Sequence, residues 1–71
     1  MSSVGTMQIE IYNKLKELNC IDYRSGLTAI ELANEFKGTK ELVSLYRNLR
    51  DLLKNKRINK LGKPARYWIC N

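Results

Sequence analysis

Apolar residues recur every three or four positions near the start of the chain, in the stretch TMQIEIYNKLKELN. This spacing is typical of one face of an amphipathic helix and predicts a helix over about residues 7–19. Thr6 stands directly before this helix, and its hydroxyl is the expected N-cap. The apolar face of the first helix is expected to comprise Met7, Ile9, Ile11, Tyr12, Leu15 and Leu18.

A second helix is predicted over about residues 29–36, and its start carries the clearest local signal in the sequence. The segment TAIE fits a capping box, in which the side chains of Thr28 and Glu31 satisfy each other's exposed backbone amides. The apolar side of this helix is expected to comprise Ile30, Ala33 and Phe36.

Short connectors flank the second helix. Before it, the segment CIDYRSG contains a Ser-Gly turn signal, and Ile21 and Tyr23 predict a short extended segment. After it, Gly38 is expected to stop the helix. Thr39 is then the expected N-cap of the next helix, so two helices should meet across a tight turn.

The third and longest helix is predicted over about residues 40–55. Its apolar residues lie at i, i+3, i+4, i+7, i+10 and i+11, and they are Leu42, Leu45, Tyr46, Leu49, Leu52 and Leu53. The polar residues on the other side are expected to face solvent, and they are Lys40, Ser44, Arg47, Asn48 and Asp51.

After this helix the helical period gives way to two short runs, RINKL and RYWIC, separated by GKPA. β-Branched and aromatic residues favour strands, while Gly62 and Pro64 favour a turn, so a β-hairpin is predicted over about residues 57–70. Side chains alternate between the two faces of a strand, and one face of the hairpin must therefore cover the helices.

The composition is that of a globular protein rather than a disordered one, with 44% hydrophobic and 28% charged residues. Residues 1–71 are expected to form one α+β domain, because the sequence contains no repeat or linker.

Positive charge is concentrated in the last third of the chain. Residues 1–46 carry five Lys or Arg against six Asp or Glu, whereas residues 47–71 carry eight against Asp51 alone. The local net charges are therefore −1 and +7. This asymmetry favours a surface that binds a polyanion such as nucleic acid, although lysines can also serve solubility alone.

The stretch LTAIELANEFKGTKELVSLYRNLRDLLKNKRINKLGKPARYWI, residues 27–69, resembles the winged helix-turn-helix domains of transcription regulators. The resemblance implies a small sequence-specific regulator that binds double-stranded DNA, with the helix over residues 40–55 in the major groove. It also implies that the hairpin is a wing that touches the DNA backbone through Lys60, Lys63 and Arg66. A homodimer is expected, and its contact would use Met7, Ile9, Ile11 and Tyr12 of the first helix.

In that arrangement the third helix is expected to read bases and hold phosphates. Arg47 and Asn48 are suited to bidentate contact with guanine and adenine, and Ser44 is an adaptable donor or acceptor. Lys40 is expected at a phosphate, and Thr39, besides its capping role, is a second candidate for phosphate contact at the helix N-terminus.

Three alternatives stay open. GKPARYW is similar to the wing of domains that bind left-handed Z-form nucleic acid, but Tyr46, Arg50 and Ala65 depart from the residues of that subfamily. A winged helix can also serve as a protein-interaction module, although such a module needs no basic stripe. RNA or single-stranded DNA could stack its bases on Tyr67 or Trp68.

Other functions have little support in the sequence. There is no His, no Gly-rich phosphate loop and no nucleophile with a recognisable base partner, so we expect no enzymatic activity, no cofactor and no metal. Cys20 and Cys70 are expected to be two buried free thiols, while a disulfide stays open. The sequence has no apolar run of membrane-spanning length and no signal-peptide pattern, and a cytoplasmic protein is expected.

Overall fold

Three helices and three strands follow one another in the order helix, strand, helix, helix, strand, strand. The computed structural model describes residues 5–70, so residues 1–4 and 71 of the predicted domain lie outside the described part. The elements are α1 (Thr6–Glu17), β1 (Leu27–Thr28), α2 (Ala29–Glu35), α3 (Leu42–Lys54), β2 (Ile58–Leu61) and β3 (Arg66–Ile69). The predicted α+β class is confirmed, with three helices followed by a hairpin.

The strands form one antiparallel sheet with β3 in the middle, between β1 and β2. Leu27 of β1 lies opposite Tyr67, and Ile58 of β2 lies opposite Ile69. Tyr67 and Ile69 are buried, so this face of β3 covers the helices. Trp68 points to the other face and is half-buried there.

The short strand before α2 does not lie at Ile21 and Tyr23, and that prediction is wrong. The hydroxyl oxygen of Ser25 accepts hydrogen bonds from the backbone N–H groups of Ile21 at 2.8 Å and Asp22 at 3.2 Å. Asp22 Oδ1 in turn accepts from the Ser25 backbone N–H at 2.9 Å. Together these bonds fold the connector into a turn. The hydrogen bonds that Ser25 donates to the Asp22 carboxylate hold the pKa of that carboxyl below its usual value. The strand therefore follows the turn, at β1.

The hydrophobic core lies between the helices and the inner face of the sheet. It comprises Ile11, Leu15, Cys20, Ala29, Leu32, Leu45, Leu49, Leu52, Ile58, Tyr67 and Ile69. α3 supplies three of these residues, and it packs against α1, α2 and β2. No polar or charged residue is buried in the described part of the chain, so apolar burial holds the core together.

α1 begins at Thr6, and its buried face is narrower than predicted. Gly5 rather than Thr6 is the N-cap, because the Gly5 carbonyl already accepts the backbone N–H of Gln8 at 3.0 Å. Ile9 is 51% exposed, whereas Ile11 is fully buried. Ile11 therefore cannot contact a second subunit, which corrects its predicted place in the dimer contact.

α2 starts with the predicted capping box. Glu31 donates its backbone N–H to Thr28 Oγ1 at 3.1 Å, and Thr28 donates its own to Glu31 Oε1 at 3.0 Å. The predicted apolar side is wrong at Ile30, which is 61% exposed. α2 buries Ala29 and Leu32 instead, and a helix turns by about 100° per residue, so Ile30 points away from the core.

The turn between α2 and α3 overturns the predicted N-cap at Thr39. Gly38 adopts a left-handed conformation with φ of +76°. Beyond it, Thr39 Oγ1 donates to the carbonyl of Phe36 at 2.7 Å, so Thr39 closes the end of α2. α3 begins later than predicted, with Glu41 as its N-cap, and Lys40 lies outside the helix.

The two cysteines have different environments. Cys20 is buried and Cys70 is exposed, and both are free thiols, so the predicted burial is wrong for Cys70. Burial raises the pKa of the Cys20 thiol, and the nearby carboxylate of Glu35 raises it further. Cys20 is thus a structural residue with little thiolate at neutral pH.

Loss of the capping box should destabilise the protein. We expect Thr28→Ala to lower the free energy of unfolding by about 1 kcal/mol, because the backbone N–H of Glu31 loses its acceptor. Thr6→Ala is the matched control, since Thr6 makes no cap, and should change stability by less than about 0.5 kcal/mol. Urea unfolding measures the free energy of unfolding of both variants. An equal loss of stability in Thr28→Ala and Thr6→Ala would contradict the assigned cap.

The thiols should differ in reactivity. In the folded protein at pH 8, iodoacetamide should label Cys70 and leave Cys20 unmodified, because Cys20 is buried and its pKa is raised. In urea both should react. Intact-mass analysis counts the labels, and equally fast double labelling of the folded protein would contradict the buried position of Cys20.

Candidate nucleic-acid interface

A groove of about 460 Å³ runs between α3 and the hairpin. α3 contributes Val43, Tyr46, Arg47, Arg50 and Leu53 to its lining, and the hairpin contributes Lys60 and Tyr67. The groove therefore lies between two elements that together carry six of the thirteen Lys and Arg residues of the chain.

The packing of α3 explains why these helix residues face outward. Leu45 and Leu49 are buried against the rest of the molecule. Val43, Arg47 and Arg50 are spaced by four and three residues and share the opposite, exposed side. A helix with one buried stripe must present such a strip to solvent.

The hairpin supplies the second wall through its register. Lys60 lies opposite Tyr67 in the β2–β3 pair, and paired residues point to the same face of a sheet. That face is the inner one, because Tyr67 is buried. Lys60 lies two residues after the buried Ile58, closer to the tip of the hairpin. The side chain of Lys60 is exposed and lines the groove.

The cations of the groove have no carboxylate to neutralise them. Within residues 5–70 the ion pairs join Lys14 to Glu17 at 3.2 Å and Lys40 to Glu10 at 2.6 Å. Arg47, Arg50 and Lys60 take part in neither. The groove therefore presents three uncompensated positive charges from two different elements.

Two tyrosines line this basic groove, and they differ in exposure, since Tyr46 is 49% exposed and Tyr67 is buried. Tyr67 is 5% exposed, and its burial raises the pKa of its hydroxyl, with nearby Tyr46 adding to the effect. Tyr67 is thus neutral at physiological pH. Its burial leaves little ring surface on which a base could stack.

The polar side of α3 does not face solvent as predicted. Asn48 is half-buried, and its amide nitrogen lies 2.7 Å from the Ser44 carbonyl and 3.3 Å from Met7 Sδ. Asp51 is also half-buried and accepts a hydrogen bond from Gln8 at 3.3 Å. These side chains face α1, because α1 packs along that side of α3. Among the five residues of the predicted solvent face, Arg47 alone is exposed.

Thr39 and Lys40 lie at the junction of the helices and do not line the groove. The ammonium group of Lys40 is paired with Glu10 and stands 5.4 Å from the centre of the Phe36 ring. Thr39 is exposed, and its hydroxyl donates to Phe36. Lys40 would have to exchange a carboxylate for a phosphate in order to bind DNA.

The three predicted wing residues occupy three different environments. Lys60 lines the groove, and Lys63 is exposed in the turn between the strands. Arg66 is half-buried, with its guanidinium 5.2 Å from the centre of the Tyr23 ring and 3.4 Å from the Tyr23 carbonyl. Arg66 therefore attaches the hairpin to the connector before β1.

The predicted DNA-binding residues include Arg47 and Lys60 of the groove but not Val43, Tyr46, Arg50 or Leu53. The sequence pattern places Tyr46 and Leu53 on the buried stripe, and it shows Arg50 as one of the basic residues of the last third of the chain and as a departure from the Z-form pattern. The i, i+4, i+7 spacing of Val43, Arg47 and Arg50 could have revealed one outward strip. Val43 and Tyr46 make this strip hard to recognise in the sequence, because apolar residues are expected to be buried. In the structure they are 66% and 49% exposed.

Among residues 5–70, no helix is long and apolar enough to cross a membrane. In the same part of the chain, no three His, Cys, Asp or Glu residues lie close enough to hold a metal ion together. Comparison with protein-family models, curated proteins and solved structures gives no match to this chain. Its function is therefore inferred from the chemistry of its own residues.

Proposed function

We propose that the protein is a winged helix-turn-helix transcription regulator that binds double-stranded DNA in a sequence-specific manner. The observation that carries the proposal is the groove between α3 and the hairpin, where Arg47, Arg50 and Lys60 have no acidic partner. The order of the elements, with a short strand before α2 and a hairpin after α3, is compatible with that architecture.

α3 is the element that would enter the major groove, which is wide enough to admit a helix. In such a complex the residues nearest the helix N-terminus lie closest to the base edges. Arg47 is then the base-reading residue, because it is exposed and its guanidinium matches the O6 and N7 acceptors of guanine.

Arg50 and Lys60 line the two opposite walls of the groove and would clamp one sugar-phosphate strand between the helix and the hairpin. Lys63 extends this contact at the exposed turn. Thr39, Lys40 and Ser44 are secondary candidates, because they lie outside the groove.

Two of the predicted DNA-binding residues have clear structural partners. Asn48 holds α3 to the start of α1, and Arg66 holds the hairpin to Tyr23. We propose that both residues position the interface rather than read DNA.

A homodimer on a two-fold site is the proposed assembly, because one such domain reads only a short half-site. Ile9 is the exposed apolar residue that remains of the predicted contact on α1. A palindromic target with half-sites about one helical turn apart would support this assembly.

Selection from a randomised duplex library at two salt concentrations tests the proposed function. We expect an enriched motif, and affinity that falls steeply as salt rises because bound cations are released from the phosphates. Absence of duplex binding even at about 50 mM salt would overturn the proposal. Quenching of Trp68 fluorescence by single strands alone would favour the single-stranded reading.

Loss of a groove cation should weaken binding to every sequence. We expect Arg50→Ala and Lys60→Ala each to reduce the magnitude of the salt dependence, d log K/d log [salt], by about one, because each removes one phosphate contact. Lys16→Ala is the matched control, since Lys16 is an exposed cation of α1 outside the groove. Fluorescence anisotropy at several salt concentrations gives the slopes, and an equal effect of the control would contradict the site.

Loss of Arg47 should instead relax sequence preference. We expect Arg47→Ala to lose about 1 to 3 kcal/mol of discrimination at one guanine of the selected motif, while weakening binding to unrelated duplexes much less. Asn48→Ala should lower the unfolding free energy and leave the motif unchanged, because Asn48 faces α1. Repeating the selection with both variants distinguishes the base-reading role of Arg47 from the positioning role of Asn48. A motif that changes in Asn48→Ala but not in Arg47→Ala would contradict both assignments.

A further inference from the structure

The base-reading end of α3 carries an apolar residue that the fold does not use. Val43 is the second residue of the helix and is 66% exposed, more than any other large hydrophobic residue described. It is not among the residues that pack against the core. Val is also a weaker helix former than Ala or Lys, so stability gives no reason for Val at this position.

The surroundings of Val43 identify the ligand that it would fit. It lies one helical turn before Arg47 and lines the same groove as Arg50 and Lys60. An apolar partner protein would have to desolvate these uncompensated charges. Duplex DNA instead supplies phosphates for the cations and, in its major groove, one apolar group on the base edges, the 5-methyl group of thymine.

From this juxtaposition we infer that the target site contains a thymine whose 5-methyl group packs against Val43. The inference rests on the proposed DNA-binding function. The two γ-methyl groups of Val are held by a stiff χ1 angle, so they offer a fixed apolar surface to the methyl group. Val43 is therefore a specificity-determining residue beside the guanine reader Arg47.

The spacing on the helix also limits where this thymine lies. Side chains four residues apart on a helix have Cβ atoms about 6 Å apart. Base pairs in duplex DNA are separated by about 3.4 Å. The thymine that contacts Val43 therefore lies within about two base pairs of the guanine that contacts Arg47, on either strand.

Replacing thymidine by deoxyuridine in the selected duplex, one position at a time, tests the contact because only the methyl group is removed. We expect one position, within about two base pairs of the Arg47 guanine, to lower the affinity on the order of fourfold, the worth of one buried methyl group. The same replacement should have no effect on Val43→Ala. The control Ile30→Ala removes another exposed apolar residue, at 61% exposure on α2, and should respond like the unmodified protein.

The outcomes separate this inference from the proposed function. Binding with no deoxyuridine-sensitive position, or with sensitivity that persists in Val43→Ala, would overturn the thymine contact while leaving DNA binding intact. Binding without an enriched motif would also overturn it. Failure of the unmodified protein to bind any duplex would instead remove the proposed function on which the inference rests.

Discussion

Burial of three leucines along one side of α3 decides the direction of every other side chain on that helix. Leu45, Leu49 and Leu52 pack into the core, which turns Asn48 toward α1. The remaining exposed strip, from Val43 onward, is the surface left for a partner. The hairpin that follows α3 returns along this strip and converts it from a convex helix surface into a groove. The candidate interface is therefore a consequence of core packing rather than a separate feature of the surface.

The position of the hairpin depends on contacts with the connector before β1. Tyr23 stands edge-on to Trp68, with 6.2 Å between ring centres, and the Arg66 guanidinium lies over the same ring. At the turn, Gly62 has φ of +95°, and a Cβ there would lie 3.3 Å from the Tyr23 hydroxyl oxygen. One tyrosine thus supports both β3 and the turn. Because Lys60 belongs to this hairpin, these contacts on the outer face of the sheet also help to position Lys60 beside the groove.

Charge distribution gives the molecule two different halves. In the N-terminal part, ion pairs such as that of Lys40 with Glu10 neutralise lysines locally. In residues 47–71 eight cations accompany Asp51 as the single acidic side chain, and the mutual repulsion of the cations opposes folding. A bound phosphate backbone would relieve that repulsion. The proposed binding of DNA would explain why the protein keeps a surface whose charge repulsion lowers its stability.

Local patterns in the sequence determined the three helices, the hairpin with its Gly62 and Pro64 turn, and the capping box of Thr28 with Glu31, because each depends on residues close in the chain. They also determined that net positive charge is concentrated in residues 47–71, which include most of α3 and the whole hairpin. Only the tertiary structure decided that Asn48 faces α1 and that Arg66 is held by Tyr23. The physical reason is that an amphipathic pattern shows which residues can be buried but not which neighbour packs on each side of the stripe. The partners of polar residues at its borders therefore depend on how the helices and the sheet pack together.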